Sequence, residues 1–202
     1  MYAGRVDATG SALEVVAKHC DVLERLPLVP PSAQMRGIYF RSIERVLAQA
    51  GKLEPYRAVF NEQRSALGWH PMRDFLACLT VAGGVLAGPE RVQHGMFEIG
   101  RGNAGAFADS LVGRTMLRFL SRDPAKVLQQ ALAGRRQSAR PARWELSFPR
   151  ERAAEMRMIE EYAYLDSYLL GAAHGTFAII GVPVKIECVL ENRFCGKHVF
   201  TW

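Results

Sequence analysis

The nearest approach to a metal-ligand set in this sequence lies close to its C-terminus. Cys188, Cys195 and His198 fall within one predicted hairpin, and thiolate and imidazole are ligands that zinc prefers. Cys188 can approach Cys195 across such a hairpin. Cys195 and His198, however, point to opposite faces of a flat strand, and no fourth ligand is apparent. We interpret the three as core thiols and a sheet histidine, so they stay weak candidates and no metal is predicted.

Catalytic chemistry has little support in the sequence. Cys78 lies in the most apolar predicted helix, where burial raises the pKa of a thiol and makes it unreactive. The GxSxG, P-loop and HExxH motifs are all absent. Glu160, Glu161 and Asp166 are interpreted as a solvated acidic face or as partners of a helix dipole. We therefore predict no catalytic residues and expect a protein that is not an enzyme.

Arginines concentrate in a predicted loop just before the first predicted strand. The candidate anion-binding residues are Arg135, Arg136, Arg140 and Arg143. Trp144 and Phe148 follow them, and aromatic rings among arginines are typical of a phosphate- and base-binding platform. A solvated basic loop has the same composition, so we do not expect nucleic acid as a partner. The net charge of +6 and the pI near 9.4 favour acidic partners in general.

The overall composition is that of a soluble globular domain, with 49% hydrophobic and 23% charged residues. No run of about 20 apolar residues is present, so no membrane span is predicted. Residues 1–7 lack the apolar core of a signal peptide, and the four cysteines form no CxxC pair. We therefore expect a cytoplasmic protein with reduced thiols.

The part of the chain before residue 143 has the apolar periodicity of helices. Ser11 is predicted to cap the first helix, and Asp123 is predicted to cap the last. Gly83-Gly84 is expected to admit a second backbone closely or to loosen the end of its helix, and the glycines of 100–105 are expected to kink or break theirs. The predicted helices are 11–26, 35–50, 72–86, 89–107, 110–120 and 124–133, with a short helix or turn at 54–67.

The last third of the chain changes period. Residues 143–149 alternate as a half-buried strand does, 158–174 read as an amphipathic helix, and 182–190 and 194–202 read as a hairpin. This order predicts an α+β fold with an N-terminal helical layer followed by a small C-terminal antiparallel sheet that carries one long helix. We predict a single domain over 1–202, in three parts at 1–34, 35–142 and 143–202.

Four stretches of the sequence carry a resemblance to known proteins. They are MRGIYF at 35–40, WHPMRDF at 69–75, DSLVGR at 109–114 and the closing FTW at 200–202. With them the chain resembles a paralogous family of uncharacterised proteins found mainly in myxobacteria. That family in turn is similar to heme–nitric-oxide-binding domains, 4-vinyl-reductase-type small-molecule domains and transport-protein-particle (TRAPP) subunits. The resemblance implies helices packed with a small antiparallel sheet, and it leaves function open.

Heme is the cofactor that this resemblance brings into question. Heme–nitric-oxide domains use a proximal histidine on the helix before the first strand, and a tyrosine-x-serine-x-arginine motif near that strand. The matching helix here, 125–134, has no histidine, and 146–150 has no such motif. His94 lies on a different predicted helix. We therefore predict no cofactor and do not expect heme.

The resemblance also implies a small-molecule pocket between the helical layer and the sheet, mostly apolar with a few polar groups. A solid core would use the same residues. The candidates for its lining are Phe75, Leu79, Phe97, Phe107, Trp144, Tyr164, Tyr168 and His174.

We accordingly predict a non-enzymatic small-ligand-binding or regulatory domain without heme, in signalling. Two alternatives stay open: a homodimeric protein-interaction scaffold of TRAPP-like type, and a heme-based gas sensor. The partner is predicted to be a small molecule or a protein, and a homodimer is possible.

Overall fold

The computed structural model describes residues 3–108, 122–141 and 143–202. The chain divides into two compact units, Met1–Ile99 and Gly100–Trp202, each of which has its own internal contacts. The predicted helix 110–120 and the stretch 109–114 lie outside the described residues. The single domain over 1–202 and its three parts stay a prediction.

Helices form most of the N-terminal unit. They are α1 (Ala3–Ala17), α2 (Val22–Arg25), α3 (Ile38–Gln49), α4 (Leu53–Arg57), α5 (Met72–Ala87) and the first part of α6 (Val92–Ala108), with 3₁₀ turns at Leu26–Leu28 and Pro89–Arg91. The predicted start of the first helix at Ser11 was wrong, because α1 already begins at Ala3.

A two-strand ladder in this unit was not predicted. Strands β1 (Gln34–Arg36) and β2 (Trp69–Pro71) pair antiparallel, with Met35 opposite His70. The Arg36 guanidinium lies 4.0 Å from the centre of the Trp69 ring, and the backbone of Gly37 donates to Gly68 O at 3.0 Å. The predicted helix start at residue 35 was therefore wrong, since the ladder occupies 34–36.

The central position predicted for residues 72–86 is confirmed. Phe75, Leu76 and Leu79 on α5 are completely buried, and buried residues occur on every side of the helix. The close backbone approach expected at Gly83 is confirmed as well. A methyl group on Gly95 of α6 would overlap the carbonyl oxygen of Gly83, so both positions need glycine.

The C-terminal unit combines helices with an antiparallel sheet. Its elements are α7 (Pro124–Ser138), β3 (Ala139–Arg140), β4 (Arg143–Arg150), β5 (Ala153–Ile159), a π-helical turn (Leu165–Leu169), α8 (Leu170–Ile180), β6 (Lys185–Asn192) and β7 (Cys195–Thr201). The four longer strands form one sheet in the order β4-β5-β7-β6. The predicted α+β class, first strand and closing hairpin are confirmed.

Strand β5 corrects the predicted helix at 158–174. Ala154, Met156 and Met158 are buried and alternate with less buried residues, which is the period of a strand. The helix α8 begins only at Leu170, after the π-helical turn. Buried side chains of β5 and β7 then form one core with α7 and α8, which includes Met156, Phe200 and Phe177.

Of the kink or break predicted at 100–105, the break was wrong, because α6 continues to Ala108, and the kink stays a prediction. Gly100 serves close packing instead, since a methyl group there would overlap the carbonyl oxygen of Tyr168. Gly175 of α8 meets the carbonyl oxygen of Arg101 in the same way. Small residues at these points let two backbones approach.

Within the described ranges, no single helix has the length and apolar character needed to cross a membrane. One bent pair, Met72–Ala87 with Pro89–Asn103, meets that test by length and composition alone, and its first member is the buried core helix α5.

Candidate functional site

The last turn of helix α7 contains a buried arginine, Arg135. The helix starts as predicted, with Asp123 Oδ1 accepting from the backbone N–H of Ala125 at 3.0 Å. It continues to Ser138, however, so the predicted basic loop from residue 134 was wrong. Arg135 therefore lies in the last helical turn, where its positive charge also interacts favourably with the helix dipole. Only 4% of its side chain is exposed.

Glu161 forms a buried ion pair with this arginine. Its carboxylate accepts from Arg135 Nε at 3.0 Å, from a second nitrogen of the same guanidinium, from Trp144 Nε1 at 2.9 Å and from the backbone N–H of Ala163 at 3.0 Å. The Glu161 side chain is only 2% exposed. We call Arg135, Trp144, Glu161 and the Ala163 N–H the Glu161 network. The two carboxylate oxygens of Glu161 accept four hydrogen bonds, so the buried ion pair of Arg135 and Glu161 is well compensated.

The Glu161 network changes the view of the predicted anion-binding residues. Arg135 binds an internal carboxylate, so an external anion would have to displace Glu161. Arg136, Arg140 and Arg143 are exposed, and Arg143 contacts Glu160 at 3.2 Å. For these three, anion binding stays a prediction.

The weak metal candidates are separated by the sheet register. Cys188 lies opposite His198, whereas Cys195 lies opposite Asn192, so the predicted approach of Cys188 to Cys195 was wrong. His198 Nε2 donates to the carbonyl oxygen of Leu165 at 2.8 Å, and burial lowers the pKa of this histidine. Burial raises the pKa of the Cys188 thiol to about 11. Over residues 3–108, 122–141 and 143–202, no group of three His, Cys, Asp or Glu is placed to hold a metal ion.

The predicted pocket-lining residues divide between the two units. In the N-terminal unit, Phe75 and Leu79 are completely buried and Phe97 is half-buried. Phe107 lies outside the residues whose side chains the structure describes.

In the C-terminal unit, Tyr164 and Tyr168 are buried, and Trp144 and His174 are half-buried. The Tyr168 hydroxyl accepts from Asn103 Nδ2 at 2.6 Å, and burial with the nearby Arg101 lowers the pKa of His174. Trp144 belongs to the Glu161 network. A ligand at any of these eight residues stays a prediction.

A groove in the N-terminal unit was missed by the sequence reasoning. Helix α3, helix α4 and residues 60–64 enclose about 680 Å³, which we call the α3–α4 groove. Charged side chains line it alongside Phe40, Phe60 and Leu53; they are Arg41, Arg45, Arg57, Arg64, Glu44 and Glu62. The only signal for it in the sequence was the spacing of Arg41 and Arg45 on one helix.

The fold of the chain is similar to that of H-NOX proteins. An H-NOX protein from S. oneidensis in the Fe(II)NO ligation state superposes with a TM-score of 0.64 at 12% identity, over 83% of this chain and 99% of that one. The Fe(II) unliganded H-NOX protein from K. algicida gives 0.63 at 14% identity, over 83% and 96%. An oxygen-binding H-NOX domain related to soluble guanylate cyclases gives 0.60 at 16% identity, over 82% and 91%. At such identities the likeness shows a shared fold.

A match to a protein family identifies the chain more specifically than its fold does. Residues 29–190 match the protein family of unknown function DUF2378, and this chain belongs to that family. No protein of curated function matches the chain.

The donor set at the helix before the sheet does not fit heme. Helix α7 precedes strand β4 and contains no histidine, cysteine, methionine or tyrosine, which are the side chains that ligate heme iron. Strand β4 contains no tyrosine, and its Ser147 and Arg150 are exposed. The last turn of α7 instead holds Arg135 in the Glu161 network.

Proposed function

We propose that this chain is a non-enzymatic regulatory domain that binds a small ligand without heme. The observation that carries the proposal is the Glu161 network. The helix that presents an iron ligand in the fold's heme-binding members is joined here to strand β4 and to the residues before α8 by a satisfied ion pair. A ligand would then be recognised by side chains and not by a metal.

The fold supports the ligand-binding part of the proposal. Two of the H-NOX structures are complexes with nitric oxide or oxygen, so this arrangement of elements serves ligand binding in those proteins. We further propose that the chain is cytoplasmic, acts in signalling and belongs with the paralogous myxobacterial proteins that it resembles. The absence of the common catalytic motifs supports a role that is not enzymatic.

An absorption spectrum tests the heme-free part. The full chain is expressed in cells supplied with a heme precursor, beside an H-NOX protein as a positive control. We expect a Soret band in the control and none in this chain, and titration with hemin should give no saturable 1:1 band. A stoichiometric Soret band would contradict the proposal and support the heme-based gas sensor.

Native mass spectrometry tests the ligand-binding part. We expect the protein as purified to retain a small molecule at a fixed stoichiometry. A chain that retains nothing when it is purified from several expression hosts would contradict ligand binding.

The homodimeric scaffold is the second candidate, and one observation favours it. Strands β4 and β6 are the end strands of the four-stranded sheet, and β6 exposes the neighbouring residues Val189 and Leu190, at 45% and 49%. Exposed apolar residues on an end strand, whose backbone groups have no partner strand on one side, are a common place for a second chain to pair. Light scattering during size-exclusion chromatography separates the two: a dimer that Val189→Lys dissociates favours the scaffold, and a monomer excludes it.

A further inference from the structure

We propose that the α3–α4 groove binds a small organic anion, a molecule with an acidic group on an apolar body. The inference goes beyond the proposed function, which names no site in the N-terminal unit. It also stands independently of the heme question, because no residue of the groove belongs to α7 or to the sheet.

The size and floor of the groove suit a small molecule. Its volume of about 680 Å³ lies within the range of roughly 300–1,000 Å³ that is usual for ligand sites. Phe40 is buried, and Phe60 and Leu53 are half-buried. These side chains give an apolar surface on which a ring or an aliphatic chain can lose its contact with water.

The charges around this floor favour an anion. Four guanidinium groups and two carboxylates line the groove. Two further carboxylates outside the lining, Glu54 and Asp74, lie 3.9 Å from Arg57 and 3.8 Å from Arg64, distances too long for hydrogen bonds. Positive groups therefore outnumber negative ones on the surface that a ligand would contact. All four cations are arginines, whose planar groups bind carboxylate or phosphate through two parallel hydrogen bonds.

Arg64 is fixed by the protein. Its side chain is 11% exposed, its guanidinium lies 4.6 Å from the centre of the Phe40 ring, and it donates to Glu62 Oε2 at 2.9 Å. Its carbonyl oxygen accepts from Arg41 Nε at 3.3 Å. These contacts hold two guanidinium groups on one side of the groove before any ligand binds, which lowers the entropy lost on binding.

Arg57 is held more loosely. It lies 3.9 Å from Glu44 and 3.9 Å from Glu54, distances too long for hydrogen bonds, and about half of its side chain is exposed. Such surface ion pairs contribute little to the stability of the folded protein. An acidic ligand can therefore exchange these contacts for a charge-assisted hydrogen bond, which is about twice as strong as a neutral one.

Two fluorescent probes with the same apolar body separate charge from hydrophobic contact. Anilinonaphthalene sulfonate carries one sulfonate, and N-phenylnaphthylamine is the same ring system without it. We expect the full chain to bind the sulfonate at one site and at least about tenfold more tightly than the neutral probe. Inorganic phosphate as a competitor then shows whether the acidic group alone is sufficient.

Three variants locate the site. Arg41→Gln with Arg57→Gln should weaken the sulfonate at least about tenfold and leave the neutral probe unchanged, because only charge is removed. Ala48→Trp, which fills the groove, should weaken both probes. The matched control, Arg122→Gln with Arg150→Gln, removes two exposed arginines from the C-terminal unit and should change neither.

Two results would overturn the inference. One is equal affinity for the two probes, which would mean apolar adsorption only. The other is a loss of sulfonate binding in the control variant that equals the loss in the groove variant. Circular dichroism melting curves of all variants show that each is folded, and a wild-type chain that fails to bind the sulfonate also counts against the site.

Discussion

Replacing Glu161 by glutamine should destabilise the protein far more than its position after strand β5 suggests. The substitution keeps the size of the side chain and removes its charge, so Arg135 remains buried without a counter-ion. Breaking a buried ion pair at one partner typically costs about 3–5 kcal/mol. The amide oxygen can accept from only some of the four donors, and the amide nitrogen would face N–H groups. We therefore expect a loss of about 3–5 kcal/mol in the free energy of unfolding.

The neighbouring glutamate is the matched control. Glu160 contacts Arg143 at 3.2 Å, but about half or more of each side chain is exposed. Glu160→Gln should therefore cost no more than about 1 kcal/mol. Urea unfolding followed by circular dichroism gives both values. The indole N–H signal of Trp144 in an NMR spectrum should also move in Glu161→Gln, since that N–H donates to Glu161 Oε2.

A double variant tests the cause of the loss. Arg135→Met with Glu161→Gln removes both charges and keeps a side-chain oxygen that can accept from Trp144 Nε1 or from the Ala163 N–H, so it should recover much of the stability that Glu161→Gln loses alone. The reasoning is refuted if Glu161→Gln costs as little as Glu160→Gln, or if the double variant is less stable than the single one.

Three further predictions concern packing, pH and capping. Gly100→Ala should cost at least about 1–3 kcal/mol because its methyl group meets the Tyr168 carbonyl, whereas Gly105→Ala on the same helix has open space and should stabilise by up to about 1 kcal/mol; equal melting temperatures would contradict this. Burial lowers the pKa of His198, so the unfolded chain binds a proton before the folded chain does as the pH falls. The contribution of His198 to the stability of the folded state is therefore complete above about pH 6.5 and is lost below it. His198→Gln should flatten the fall in melting temperature between roughly pH 7 and 5, and an unchanged slope would speak against this origin. Asp123→Ala should cost about 1 kcal/mol in urea unfolding and Asp123→Asn much less; equal losses would exclude the capping contact.

The fold could be predicted where one local pattern was sufficient. Strand β4 and the hairpin β6–β7 alternate apolar and polar residues, and each prediction was confirmed within a few residues. Strand β5 was missed because its alternation, around Met156 and Met158, is short, and because the glutamates and apolar residues that follow Ile159 have the mixed pattern of an amphipathic helix. Its position between β4 and β7 depends on pairing partners, which no local pattern states.

The candidate sites depended on such distant partners even more. Arg135 reads as a solvated residue beside Arg136, whereas in the fold the carboxylate of Glu161, far along the chain, compensates the burial of its charge. The α3–α4 groove likewise requires Arg41 and Arg64 to meet across two segments of the chain. Residue types at both sites were visible in the sequence, whereas their pairing was a product of the fold.

The Glu161 network and the α3–α4 groove differ in whether their charges are already paired within the protein. A cofactor that binds only the folded state adds its binding free energy to the stability of the protein. Helix α7 offers no donor to heme iron. Its last turn is held instead by the Glu161 network, in which the carboxylate accepts four hydrogen bonds. In the lining of the groove, by contrast, arginines outnumber carboxylates, and the contacts of Arg57 with Glu44 and Glu54 and of Arg64 with Asp74 are too long for hydrogen bonds. The melting temperature should therefore rise with the concentration of an organic anion and stay constant with hemin.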